Sequence, residues 1–233
     1  MVLSQRLREA AALVTPGNRL ADIGTDHGFV PIFLVEEGTI PSAVAMDVNP
    51  GPLQRAREHI KEHGLEDRIR TRLSDGLSAL GEKEADTILI AGMGGALSVR
   101  ILRQGAEVLR EVRELVLQPQ SEIAAVRRYL EKSGWRIVKE RIVLEDGKYY
   151  QMMRCVPGQM KLDDAQAKYG PLLARERTQT WVSYLQWLSG ILQKNLLSLE
   201  KARGVRAKRR REELLKEISI LDSLLADDKN SLL

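Results

Sequence analysis

Between residues 16 and 156 the hydrophobic positions fall into short runs separated by longer amphipathic stretches. The runs at 19–23, 43–47, 69–73, 87–91 and 115–118 are short and β-like, as strands are. The stretches at 30–37, 52–63, 97–109 and 122–133 carry apolar residues at helical spacing. Strands alternating with helices predict a mostly parallel sheet covered on both faces. The last two strand-like runs, 136–144 and 149–156, are separated only by Glu145-Asp146-Gly147-Lys148. Asp-Gly is a hairpin turn, so the sheet is expected to finish with an antiparallel hairpin.

The pattern changes after Pro157-Gly158. The remainder of the chain is helical in pattern, with a break expected at Tyr169-Gly170-Pro171. Trp181, Leu185, Leu188, Leu192, Asn195, Leu199 and Ala202 recur at steps of four and three, a heptad seam with one polar position. Gly204 interrupts the seam, and Leu214, Ile218, Leu221 and Leu225 resume it. This predicts a coiled-coil helical hairpin with its turn near Gly204. The expected division is therefore residues 1–158, an α/β domain, and 159–233, a helical domain. At the other end, Leu3, Leu7, Ala10, Ala11 and Val14 lie at helical spacing among charged residues, unlike a secretory leader.

Charge refines this division. Residues 161–233 hold 14 Lys and Arg against 10 Asp and Glu, leaving 22 of each sign before them, so the whole excess of +4 lies in the helical part. Arg203, Arg206, Lys208, Arg209, Arg210 and Arg211 fall at or just after the Gly204 turn, a basic tip suited to a polyanion. A solvated helix face is the plainer reading. The single cysteine, Cys155, excludes an internal disulfide and a cysteine-rich metal site, so no metal is expected. No apolar run approaches the roughly 20 residues of a membrane span. A cytoplasmic protein is expected.

The chemistry gathers at the ends of the strand-like runs, where open parallel sheets bind ligands. The first run leads into Asp22-Ile23-Gly24-Thr25-Asp26-His27-Gly28, and the second ends at Asp47, placed to take both hydroxyls of a ribose. Asp75-Gly76 follows the third, Ala91-Gly92-Met93-Gly94-Gly95 the fourth, and Gln118-Pro119-Gln120 the fifth. Five such ends in one sheet point to a nucleoside cofactor. Asp26 stands where a pyrophosphate of NAD would lie and would repel it. A sulfonium and an α-amino group favour carboxylates, so Asp22 and Asp26 suit S-adenosyl-L-methionine.

At these residues the chain resembles the bacterial tRNA adenine-22 N1-methyltransferases, the TrmK family. The resemblance rests on Ala21-Asp22-Ile23-Gly24-Thr25-Asp26-His27, Ile90-Ala91-Gly92-Met93-Gly94-Gly95-Ala96, Leu117-Gln118-Pro119-Gln120 and Glu145-Asp146-Gly147-Lys148-Tyr149-Tyr150. It implies a Rossmann-like class I methyltransferase domain and methyl transfer from S-adenosyl-L-methionine to N1 of an adenine in the D-arm of tRNA. The terminal hairpin agrees with that fold, where a dinucleotide dehydrogenase would more often continue with another βαβ unit. Cofactor contacts are expected from Asp22, Ile23, Gly24, Asp47, Val48, Asp75, Gly76, Ala91 and Gly92. The adenine pocket is expected from Asp26, His27, Gly92, Met93, Gly94 and Gly95.

Adenine N1 carries an in-plane lone pair and becomes cationic when methylated, so a carboxylate beside it, Asp26, would stabilise the developing charge. His27 would orient Asp26 or contact the RNA. Plainer readings accompany each residue. Asp26 caps the next helix, His27 is a satisfied structural histidine, the glycines at 92–95 permit tight packing, and Tyr149 and Tyr150 pack in the core. Two other functions stay open: a methyltransferase of this fold with another RNA or protein target, and a non-enzymatic binding module.

Overall fold

The structure is a computed structural model of the chain and describes residues 3–199 and 203–226. The chain forms two compact units, Met1–Lys168 and Tyr169–Leu233. The first is built on a seven-stranded sheet in the order β3-β2-β1-β4-β5-β7-β6. Its strands are β1 (Leu20–Ile23), β2 (Ala43–Asp47), β3 (Ile69–Leu73), β4 (Thr87–Ala91), β5 (Glu114–Gln118), β6 (Trp135–Glu145) and β7 (Lys148–Pro157). β1 to β5 pair in parallel, and β7 pairs antiparallel with both β5 and β6. β1 and β5 are buried along their whole length, as strands covered on both faces must be. The expected hairpin forms with Glu145 opposite Lys148. Its turn residues Asp146 and Gly147 take φ of 50° and 73°, the left-handed pair that matches strand twist.

The helices of this unit are α1 (Gln5–Ala11), α2 (Phe29–Glu36), α3 (Pro50–Glu62), α4 (Gly95–Gln104), α5 (Ala106–Leu109) and α6 (Ile123–Lys132). α3 starts on Pro50, whose fixed φ suits a first turn, and buries Leu53, Ala56 and Ile60 along one face. The stretch read as one helix over 97–109 is two, α4 and α5, divided at Gly105. A Cβ on Gly105 would lie 2.4 Å from Leu77 Cδ1, so the break lets the chain pass close to that side chain.

The units divide after Lys168 rather than at Gly158. Buried arginine chemistry holds the intervening segment to the first unit. Arg127 is fully buried and donates to Glu140, Gln151 and the carbonyl oxygens of Ala167 and Lys168. Arg128 donates to the Leu162 carbonyl and pairs with Asp164 at the start of α7 (Asp164–Tyr169). A buried guanidinium needs partners for its donors, and backbone carbonyls of this segment supply two of them.

In the second unit α8 (Pro171–Glu176) follows the expected break at Gly170, then α9 (Gln179–Ser198) and α10 (Val205–Ala226). Thr178 caps α9 by accepting from the Trp181 N–H at 3.3 Å. α9 and α10 pack against each other, as a helical hairpin requires. Trp181, Leu185 and Leu192 are buried on α9, and Leu214 and Leu221 on α10. The expected polar seam position is corrected: Asn195 is exposed, and Ser189 is the buried polar residue of α9. Ala202 lies outside the described residues.

Candidate active site

The strand order reverses between β1 and β4, and their carboxyl ends open one crevice. The turn after β1 is locked by Gly24 and Thr25, whose N–H groups donate to Met46 O at 2.8 and 2.9 Å. Gly24 takes φ of 77°, and a Cβ there would lie 2.0 Å from the Met93 Cε. Glycine is therefore required both by backbone conformation and by contact. Asp22, within β1, is 7% exposed. Burial raises its carboxyl to about 6, and the Asp47 carboxylate adds to the rise. The Thr25 hydroxyl opposes it, yet that oxygen has no hydrogen-bond partner of good geometry.

Asp26 does not cap the next helix. The residue before α2 is Gly28, at φ of 70° and without a side-chain cap bond. The Asp26 carboxylate is instead held by Arg55 of α3 at 2.8 Å, while remaining exposed. His27 stacks on Phe29 with centroids 4.9 Å apart and lies 5.4 Å from the His59 ring. His59 Nδ1 is 3.0 Å from the His27 carbonyl oxygen and so donates to it. The His27 Nε2 lies 3.5 Å from Asp26, and its buried Nδ1 has no partner. His27 is thus positioned by stacking, but it is not a satisfied structural histidine.

The turn after β4 is bound to the turn after β5. The Gly92 N–H donates to both the backbone and the side-chain oxygen of Gln118, each at 3.1 Å, and the Gln120 N–H donates to Met93 O at 2.8 Å. The four residues 92–95 serve different ends. Gly95 packs so closely that a Cβ would lie 2.4 Å from Ser121 O, and Gly94 would meet Ser121 Oγ at 3.2 Å. These two glycines follow the tight-packing reading. Met93 covers Gly24. Gly92, at φ of 81°, has only Arg6 and Gln120 near its Cβ position, both at 3.8 Å.

Asp22, Gly24, Asp26, His27, Ala91 and Gly92 line a single cavity of about 440 Å³. Met93, Gly94 and Gly95 do not line it, and neither do Ile23, Asp47, Val48, Asp75 and Gly76. Ile23 is buried in β1. Asp47 ends β2, its Oδ1 accepting from the Asn49 N–H at 2.7 Å, beside Val48, whose apolar side chain is exposed. Asp75 is exposed after β3, and Gly76 abuts Ile101, 3.0 Å from its Cβ position. Tyr150 is half-buried against the core with the Arg6 guanidinium 5.6 Å from its ring centre.

Several residues at the site escaped the sequence reading. Arg55 and His59 are i and i+4 on α3, so one helix face meets the 26–29 loop; that spacing was a legible signal. Arg6 comes from α1 and meets residues more than 100 positions away, which no local pattern marks.

Comparison with known proteins agrees with this architecture. Residues 3–153 match the family described as a methyltransferase domain. The tRNA (adenine(22)-N(1))-methyltransferase of Bacillus subtilis is 32% identical over 93% of this chain and 96% of its own. Streptococcus pneumoniae Sp1610, solved with S-adenosyl-L-methionine, superposes with a TM-score of 0.85 at 38% identity, covering 96% of this chain and all of the other. Mycoplasma capricolum TrmK, solved with S-adenosyl-homocysteine, gives 0.80 at 25% identity over 95% of this chain and all of the other. Sheet, crevice and relatives converge: the chain belongs to the tRNA (adenine(22)-N(1))-methyltransferase family.

Proposed function

We propose that this protein transfers a methyl group from S-adenosyl-L-methionine to N1 of adenine 22 in the D-arm of tRNA. One observation carries the reading: the cavity joins two carboxyl groups, Asp22 and Asp26, to a glycine-formed wall at Ala91 and Gly92. The residues fit a cationic nucleoside cofactor. Asp22 is a buried carboxyl raised to about 6, and a cation beside it would favour its charged form. Asp47 keeps Oδ2 for a ribose hydroxyl while Oδ1 is held by Asn49. Gly24 lines the cavity, with the Met93 methyl lying where its Cβ would be. Val48 offers an exposed apolar surface for a base, and Asp75-Gly76 follows the neighbouring strand β3.

When bound, the cofactor supplies an electrophilic methyl carbon. The protein's own work is placement and charge. N1 needs no prior deprotonation, so no side chain has to act as a base. The ring becomes cationic as N1 is methylated, and Asp26, held by Arg55, offsets that charge. His27 lines the cavity beside Asp26, its Nε2 3.5 Å from that carboxylate, and so stands where it can meet the base or the RNA. Gly92 keeps the wall free of a side chain where the base enters. Because N1 lies on the Watson–Crick edge, the adenosine enters flipped or unpaired, and aligning it is positioning catalysis.

The first turns of α10 are assigned to the tRNA backbone. Arg206, Lys208, Arg209 and Arg210 are exposed there, with Arg203 before the helix and Arg211 half-buried. No acid stands in the first turn. Cations at the positive end of a helix dipole work against the helix, but they suit a polyanion. No described helix is long and apolar enough to cross a membrane, and a cytoplasmic location suits the tRNA substrate.

The test is incubation of the protein with unmodified tRNA and labelled cofactor, followed by digestion to nucleosides. The expected product is 1-methyladenosine. N6-methyladenosine, or label in protein and not in RNA, overturns the proposal.

A further inference from the structure

α1 brings to the cavity a cation that methyl transfer itself does not use. Arg6 lines the cavity with Leu3, Leu7 and Gly92, opposite in charge to Asp22 and Asp26. Among the described residues lining the cavity it is the one Lys or Arg. Three strands hold its guanidinium. Nη1 donates to Gln118 Oε1 of β5 at 3.2 Å, Nε lies 3.7 Å from Glu145 Oε2 of β6, and Cζ stands 5.6 Å from the Tyr150 ring centre of β7. The Arg6 backbone N–H also donates to Glu145 Oε1 at 3.3 Å. Gln118 Oε1 accepts the Gly92 N–H as well, so Arg6 and the turn carrying Gly92 share one acceptor.

This grip fixes the guanidinium without exhausting it. A guanidinium offers five N–H donors, and the one side-chain hydrogen bond it makes, to Gln118, uses one of them. The Arg6 side chain remains 25% exposed. A rigidly held, partly exposed arginine at the wall of a cavity is a site for an oxyanion.

A nucleotide flipped out of RNA carries its phosphate with it. We infer that Arg6 binds a backbone phosphate flanking the target adenosine, anchoring the sugar-phosphate end while the base lies against Gly92. The inference rests on the RNA-methylation reading. Chemistry favours the phosphate over the base: the adenine ring gains positive charge at methylation, and a guanidinium against it would oppose the reaction, whereas a phosphate is attracted throughout. A purely structural Arg6, tying α1 to the sheet, would respond to no charge on the RNA.

The test pairs the enzyme with tRNA ligated from synthetic halves that carry a neutral methylphosphonate 5′ or 3′ of the target adenosine. For the wild-type enzyme, one of the two neutral linkages is expected to lower kcat/KM by about 10- to 100-fold, chiefly through KM, the scale of a hydrogen bond to a charged group. Arg6→Gln is expected to show the same loss on ordinary tRNA and no further loss on that neutral substrate, with S-adenosyl-homocysteine affinity unchanged. Arg6→Lys keeps the salt dependence of tRNA binding, and Arg6→Gln reduces its slope by about 1. Losses that multiply in the Arg6→Gln enzyme on the neutral substrate overturn the inference. Indifference of the wild-type enzyme to both neutral linkages does so too, and that arm stands even if Arg6→Gln fails to fold. Absence of 1-methyladenosine from wild-type enzyme and ordinary tRNA is a different failure, that of RNA methylation itself.

Discussion

At the scale of single residues, the site depends on how its carboxyls are held. Asp26 is exposed, and its position is set by Arg55 at 2.8 Å. If Asp26 stabilises the developing cation, Asp26→Ala leaves S-adenosyl-homocysteine affinity within a few-fold and lowers kcat by about 10- to 100-fold, a loss of roughly 1.4–2.8 kcal/mol. Arg55→Ala is expected to reproduce part of that loss, and the double variant to lose little beyond Asp26→Ala. Additive losses would show the two residues acting separately.

Asp22 makes a different prediction. Its folded pKa of about 6 lies above the unfolded 3.8, so the folded protein holds this proton more tightly than the unfolded chain. The ionised carboxyl therefore weakens the fold above pH 6, and this cost disappears as pH falls from about 6 toward 4. A cation bound beside it reverses the preference. S-adenosyl-L-methionine binding is expected to release a proton near pH 6, to weaken as pH falls below that value, and to lose both properties in Asp22→Asn. Calorimetry in buffers of different ionisation enthalpy measures the proton, and none released at pH 6 would remove Asp22 from the cofactor site.

At the scale of elements, turns carry more of the design than strands do. The turns after β4 and β5 are tied by Gly92, Gln118, Met93 and Gln120, and Gly95 seats α4 against Ser121. Gly95→Ala would place a methyl 2.4 Å from a backbone oxygen, so that turn must shift. A loss of about 1–3 kcal/mol in urea unfolding is expected, together with reduced activity. Unchanged stability would show the two turns to be pliant. On α10, Arg209 and Arg210 each pair with Glu213 while remaining exposed, and Arg211 donates to the Leu199 carbonyl. Replacing Lys208, Arg209 and Arg210 with Gln is therefore expected to spare the helix, weaken tRNA binding and flatten its salt dependence. An unchanged salt slope would make them a solvated face.

At the scale of the whole molecule, the sheet and its hairpin were readable because the central strands β1, β4 and β5 are short and buried and the hairpin turn has its own chemistry. The features that local patterns missed have a common physical origin. Gly105 breaks a helix because of Leu77, nearly 30 residues earlier in the chain. Arg127 holds the segment before Lys168 by bonds spanning 40 residues. Arg6 reaches the crevice from the opposite end of the unit's chain. Asn195 fitted the heptad spacing yet is exposed, because spacing places a residue near a seam without deciding which neighbours cover it. The strand-end residues stand out in the sequence because each lies in a local pattern, while the second partner of each group, Arg55 for Asp26 or Met93 for Gly24, comes from another turn or helix.

Methylation of one ring nitrogen at one adenine is read directly by reverse transcription of the treated tRNA, because a methyl on N1 blocks Watson–Crick pairing. A cofactor-dependent stop at adenine 22 is expected, absent when that adenine is replaced by guanine. Full-length copying of a methylated tRNA, or a stop at another nucleotide, would contradict it.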